Sequence, residues 1–169
     1  LLIRYQIKIL HFYEWADEST EIVTAKMMAH GYRLYTEVHN NHGPLIFLPG
    51  LLLEKIASFG IAAHRVITLL LQLVLFACIY RSPALRKTSL WAKYSYIAIA
   101  ATITVGYFPI LAFAQMTTYQ VFAGIFTAIV LASYAIPLVI NEDPVSSRTV
   151  LVCNALIACL PFLAITYIP

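Results

Sequence analysis

The chain has 169 residues, of which 61% are hydrophobic and 11% charged, and its net charge at pH 7 is +3. Soluble domains carry about 25% charged residues, so this composition excludes an ordinary soluble protein and predicts an integral membrane protein. The few positive charges are scattered and form no basic stripe, which argues against a nucleic-acid partner.

The first part of the chain, residues 1–60, is predicted to lie outside the bilayer as a polar segment at the membrane surface. All five histidines and most of the acidic residues fall within the first 64 residues. Titratable groups beside apolar segments are costly unless they are solvated or take part in function. We therefore predict a reaction site in this part of the chain.

Two short helices are predicted within this segment. The first covers about 18–30, where Asp17 can cap the N-terminus and Gly31 suits the position that follows a helix. Its apolar residues share one face, which indicates an amphipathic helix in the membrane plane. The second covers 44–59 and is too short and too charged for a crossing, so we expect another in-plane juxtamembrane helix.

The remainder, residues 61–169, is predicted to be a transmembrane bundle. Its apolar stretches are each long enough to cross about 30 Å of hydrocarbon. The fold class predicted is therefore all-α: a polytopic membrane helix bundle whose extracytoplasmic loop carries the in-plane helices. The predicted spans are 61–80, 94–114, 117–140 and 149–168.

The charge pattern predicts the orientation. The loop 81–93 carries most of the lysines and arginines outside the first segment, and the loop 141–148 carries Arg148. Cytoplasmic loops are enriched in these residues, so both loops are expected in the cytoplasm and residues 1–60 outside. We favour the plasma membrane of a prokaryote over the endoplasmic reticulum.

Asp17 and Glu18 are the candidate catalytic residues. Acidic residues at the start of a helix can simply cap it or complement its dipole. A carboxylate at the membrane surface can also act as a general base toward a hydroxyl or an amine, because partial desolvation favours proton uptake.

Other polar residues are candidates for substrate or metal binding. His39, His42, Glu37 and Asp17 could surround a divalent metal, although their spacing matches no strong signature; alternatively His42 hydrogen-bonds the loop before Pro44. Arg65, with His64, is either a snorkelling anchor or a ligand for lipid phosphate. Tyr35 is either an interfacial belt residue or a platform for a sugar. The candidate substrate-binding residues are Arg65, His64, Tyr35, Glu37 and His42.

The order of these motifs resembles a known family. Asp17-Glu18, Gly31, Tyr35-Thr36-Glu37, His42-Gly43-Pro44-Leu45, Gly60 and Arg65 follow one another along the chain. This order is similar to the N-terminal module of GT-C glycosyltransferases, in the branch of the protein mannosyltransferases and the aminoarabinose lipid A transferases. Gly43 stands where the first proline of a "PPL" motif is common, a change expected to loosen the turn.

The resemblance implies an integral enzyme that takes a sugar from a polyprenyl-phosphate donor to a lipid, glycan or protein acceptor outside the cytoplasm. It places the catalytic acid at Asp17, with Glu18 beside it. Members of the family have more spans, so we expect this chain to be an N-terminal part of a longer protein. A membrane transporter or a non-catalytic membrane subunit is the alternative.

Overall fold

In the computed structural model, the regular secondary structure of the described residues consists of helices, which confirms the all-α prediction. Within those residues the backbone forms no sheet, and an isolated bridge joins Leu34 to Val38. The described residues are 7, 10, 11, 16–86, 88–105, 118–140 and 145–163.

The first helix, α1, extends over Ala16–Ala29. It ends where the sequence predicts: Gly31 has a φ of 97°, and the amide of Tyr32 donates to the carbonyl of Met27. The amide of Gly31 donates to Met28, which completes a Schellman motif. Glycine suits this position because its φ is positive.

The second helix, α2, extends over Phe47–Ile56 and follows a short 3-10 turn, Pro44–Ile46. Its 10 residues span about 15 Å, roughly half the thickness of a bilayer core, so α2 is too short to cross. It packs closely on α1, since a Cβ added to Gly50 would lie 2.9 Å from the Cβ of Ala25.

Among the residues that the structure describes, two helices are long and apolar enough to cross a membrane. One is α3, Ile61–Arg81, and the other begins as α5, Tyr119–Val130, and continues to Val139. The helices α4, Leu90–Val105, and α7, Ser147–Cys159, are shorter. The rest of the spans predicted over 94–114 and 149–168 lies outside the described residues.

The long helices expose apolar side chains. Only 28% of the most apolar window of each is buried inside the protein. On α3, Leu70 and Leu73 are more than half exposed, and Leu138 is exposed near the end of the other long helix. Core helices of soluble proteins bury such residues, whereas helices in lipid expose them.

The helices α3 and α5 run in the same direction. One apolar cluster contains Phe122 and Ala123 of α5, and Ile67 of α3 packs against it. A second cluster, closer to the C-terminal ends of both helices, contains Leu75, Ile79, Ile125 and Ile129. Near their ends, the hydroxyl of Ser82 donates to the carbonyl of Ala132. Both N-terminal ends therefore lie at the same end of the bundle.

A proline explains the irregularity after α5. The helix widens into a π-helical turn, Leu131–Ala135, and then continues as α6, Ile136–Ile140. Pro137 has no amide hydrogen and its ring crowds the preceding turn, so the regular hydrogen-bond pattern cannot pass through it. The π-helical turn therefore lies just before the proline.

Gly43 makes a close contact rather than loosening a turn. A Cβ at this position would lie 2.2 Å from the carbonyl oxygen of Phe162, and the amide of Gly43 donates to Leu163 over 3.1 Å. Proline has no amide hydrogen to make this bond. The departure from the family pattern therefore fits a specific contact with the chain after α7.

Candidate functional site

The polar residues of the first segment gather at the N-terminal ends of α3 and α5. The helix α1, the loop 31–43 and α2 bring them there, and the amide of Tyr119 reaches Glu21 across 98 residues of sequence. The predicted spans 61–80 and 94–114 likewise return the chain, before α5, to the side of residues 1–60.

Asp17 lies in the first turn of α1 and its side chain is exposed. It was expected at the N-cap, but the helix already begins at Ala16. A negative charge in the first turn is favourable because free amides give this end of a helix a partial positive charge. Asp17 is therefore a carboxylate that is open to solvent.

Glu18 and Arg65 form a buried ion pair beside Asp17. The Arg65 Nε donates to Oε1 of Glu18 over 3.0 Å, and Nη2 donates to Oε2 over 2.6 Å. Both side chains are 0% exposed. Arg65 also donates to the carbonyl of Leu10. The pair is bidentate, which is the strongest geometry for such a contact.

This pair changes the interpretation of Arg65 and Glu18. A snorkelling anchor or a phosphate ligand needs an accessible guanidinium, and that of Arg65 is enclosed by protein. Glu18 is equally enclosed, so its carboxylate is not accessible to a substrate, in contrast to the exposed Asp17. Their position supports a role in fixing the start of α1 against α3.

His64 is also buried and lies in a second polar cluster. Its Nε2 is 2.8 Å from Oε1 of Glu54, and Nζ of Lys26 is 4.0 Å from the same oxygen. His64 was a candidate for substrate binding, but its side chain is 1% exposed. The contact with Glu54 ties α3 to α2, beneath α1.

Glu21 and His42 form a third cluster, next to Asp17. The His42 Nδ1 lies 3.3 Å from Oε1 of Glu21, without the alignment of a hydrogen bond, and the Tyr119 amide donates to this oxygen over 3.4 Å. The ring of His42 lies on that of Tyr119, with 4.5 Å between the ring centroids.

Burial controls the charges in this cluster. Desolvation raises the pKa of Glu21 to about 9, and the nearby negative charges of Asp17 and Glu18 add to this effect, while the amide of Tyr119 opposes it. Desolvation also lowers the pKa of His42, against the charge of Asp17. Near neutral pH, Glu21 therefore holds a proton and His42 is neutral.

The loop that carries His42 is held by polar contacts. The amide of His42 donates to the side chain of Asn40, which in turn donates to Thr24 on α1. The hydroxyl of Tyr35 donates to the carbonyl of His42 over 2.7 Å, and Tyr35 has a φ of 69°. Tyr35, a candidate sugar platform, here supports the loop, although its side chain remains exposed.

The remaining candidates do not converge on a metal. Glu37 accepts from the amide of Arg33 over 2.7 Å and contacts its guanidinium, and His39 is exposed. In the part of the chain that the structure describes, no three His, Cys, Asp or Glu side chains lie close enough together to hold a metal ion. The metal site considered from the sequence, with Asp17, Glu37, His39 and His42 as ligands, is therefore not formed by the described side chains.

Sequence reasoning did not single out Glu21 or Glu54. Glu21 follows Asp17 by four residues, so both lie on one face of α1, and this spacing was a usable signal. Nothing in the local sequence indicates that Tyr119 covers Glu21 or that Glu54 meets His64. Those contacts come from the packing of α1 and α2 on the bundle.

Comparison of the chain with protein families, with curated proteins and with solved structures gives no match. The resemblance to GT-C glycosyltransferases therefore rests on the order of the motifs.

Proposed function

We propose that this protein is a membrane glycosyltransferase that transfers a sugar from a polyprenyl-phosphate donor, with Asp17 as the general base. The observation that carries the proposal is the contrast between two neighbouring acids. Glu18 is fully buried against Arg65, whereas Asp17 is exposed. This contrast is what a site needs if one acid positions the helix and the other meets a substrate.

In the proposed reaction, Asp17 accepts the proton of an acceptor hydroxyl or amine. The freed electron pair attacks the anomeric carbon of the sugar while the bond from that carbon to the phosphate oxygen breaks. The bonding electrons leave with the polyprenyl phosphate. General-base catalysis of this kind contributes about 10²–10⁴-fold to the rate.

The neighbours of Asp17 suit this role. Glu21 lies on the same face of α1 and is held neutral by burial, so it adds no second negative charge beside Asp17 near neutral pH. His42, in the loop, can exchange a proton and lies close enough to Asp17 to respond to its charge, and desolvation keeps it neutral. A neutral imidazole next to the base can pass a proton onward to water.

The exposed apolar faces of the two long helices support an integral membrane location. A polyprenyl chain is apolar, so a donor would approach through the bilayer and present its phosphate at the surface. The acceptor is a lipid, glycan or protein on the same side. The lysine and arginine pattern supports an extracytoplasmic site. The membrane that we propose is the plasma membrane of a prokaryote.

The alternative is a membrane transporter or a non-catalytic membrane subunit. Transporters place titratable residues near the bilayer midplane. Between Arg65 and Arg81, α3 contains no charged residue, and the acidic residues that the structure describes lie at one end of the bundle. This distribution favours an enzyme at the membrane surface.

The proposal is tested by incubating the full-length protein in micelles with polyprenyl-phosphate sugars labelled in the lipid. We expect one donor to release polyprenyl phosphate only when an acceptor is present. Absence of release from a panel of hexosyl and pentosyl donors would remove the proposal and favour a non-catalytic subunit.

A further inference from the structure

A cavity of about 670 Å³ lies at the other end of the bundle from Asp17. It is bounded by the C-terminal parts of α3 and α5, the turn after α3 and the start of α7. Binding sites for small molecules have volumes of about 300–1,000 Å³. We call it the arginine pocket, after three of the residues that line it: Arg81, Arg86 and Arg148.

Stabilisation of the fold does not explain why three positively charged side chains line the pocket. Arg148 lies in the first turn of α7, where the helix dipole disfavours a positive charge. In the described ranges, none of the three arginines takes part in an ion pair. The acids Glu142 and Asp143, shortly before α7, lie outside the described residues. Three cations at one mouth therefore favour an anionic ligand.

The lining of the pocket indicates what else the ligand carries. The walls include the apolar side chains of Val74, Ile129 and Val152, together with Cys78 and Cys153. A free phosphate ion gains nothing from an apolar wall. A ligand with a phosphate at one end and a hydrocarbon chain at the other matches both the arginines and the wall.

We propose that the arginine pocket binds the headgroup of an anionic phospholipid, with the start of one acyl chain against the apolar wall. The loops after α3 and before α7 meet here, and their positive charge predicts the cytoplasmic side. The anionic lipids of the cytoplasmic leaflet attract such clusters. The inference requires only that the long helices cross a membrane; it is independent of sugar transfer.

The native cysteines allow a direct test. Cys78 lines the pocket, whereas Cys159 is similarly half-buried on α7 and does not line it. The full chain in micelles is treated with a maleimide in the presence of phosphatidylglycerol, phosphatidylcholine or inorganic phosphate. We expect phosphatidylglycerol to slow the labelling of Cys78 by about tenfold relative to phosphatidylcholine, with Cys159 unchanged in all three.

Two results would overturn the proposal in this assay. Equal protection by phosphatidylcholine would mean that any lipid covers the helix end, without a role for charge. Protection of Cys78 by inorganic phosphate alone would mean a site for a soluble anion.

Variants test the two parts of the pocket separately, by titration with a fluorescent phosphatidylglycerol. Replacing Arg81, Arg86 and Arg148 with glutamine, one at a time, should weaken binding by about fivefold each. Ala77→Trp fills the cavity and should abolish binding, whereas Ala155→Trp, at an exposed site of α7 away from the lining, should not.

Wild-type affinity in Ala77→Trp or in all three arginine variants would contradict the assignment. The arginine side chains are exposed, so their replacement by glutamine should not disturb folding. The arginine variants therefore still test the proposal if Ala77→Trp fails to fold.

Discussion

The side chain of Arg65 donates two hydrogen bonds to the carboxylate of Glu18, 47 residues earlier in the chain, and neither side chain is exposed. This contact fixes the first turn of α1 to the start of α3. It therefore sets the position of Asp17, the residue that precedes Glu18 on this helix.

Breaking this pair should destabilise the protein strongly. Glu18→Gln or Arg65→Met leaves a buried charge without its partner, which costs about 3–5 kcal/mol. Thermal unfolding in micelles measures the loss. Arg33→Gln is the matched control, because it breaks the exposed pair with Glu37 and should leave the unfolding temperature unchanged. An equal fall in unfolding temperature for Arg33→Gln and for the variants of Glu18 or Arg65 would contradict the burial of the Glu18–Arg65 pair.

The free energy of unfolding should fall as the pH rises from about 4.5 to about 9, because over this range Glu21 holds a proton in the folded protein and not in the unfolded chain. Its pKa is about 9 in the folded protein and 4.5 without burial. The stabilising protonated form is fully present below pH 4.5 and is lost as the pH rises through about 9. The folded state binds more protons between these values, so the slope is negative, at up to about 1.4 kcal/mol per pH unit.

His42 does not interfere with this measurement in the alkaline range. Its pKa is lowered, so its contribution to stability rises with pH only below its usual value of 6.5. Glu21→Gln should therefore remove the loss of unfolding free energy between about pH 7 and pH 9. An unchanged slope in Glu21→Gln would show that another group is responsible.

Gly43→Ala should be destabilising because its Cβ would lie 2.2 Å from a backbone oxygen. Overpacking of this kind costs about 1–3 kcal/mol. Gly43→Pro should cost more, since the hydrogen bond to Leu163 is lost as well. Gly124→Ala is the control: nothing lies within 4 Å of its Cβ, so the unfolding temperature should not fall. A neutral Gly43→Pro would argue that the loop tolerates the proline common in the family.

The orientation of the bundle is tested with single cysteines in a background without the native ones. Thr36 lies in the loop near Asp17, and Ser89 lies between α3 and α4; both are exposed. In intact cells, an impermeant thiol reagent should label Thr36→Cys and not Ser89→Cys. Labelling of Ser89→Cys alone would place the Asp17 end of the bundle in the cytoplasm.

Local signals in the sequence predict the helices well. Gly31 ends α1, Pro137 disrupts the helix after α5, and the apolar stretch after Gly60 becomes α3. These features depend on neighbouring residues and on helix length, which a sequence displays directly.

The contacts of the site could not be predicted in the same way. The pairing of Glu18 with Arg65 and the cover that Tyr119 provides for Glu21 join residues far apart in sequence. No spacing rule relates such residues; tertiary packing brings them together. For this reason the sequence predicts that Arg65 lies at the membrane surface. In the structure its side chain is buried inside the protein.

The most direct test of the proposed function is the rate of sugar transfer by Asp17→Asn in the full-length protein. Asparagine keeps the size of the side chain but cannot accept the proton of the acceptor, so the account predicts a loss of at least about 100-fold in kcat. Membrane insertion and unfolding temperature should remain those of the wild type. Wild-type turnover in Asp17→Asn would contradict the account.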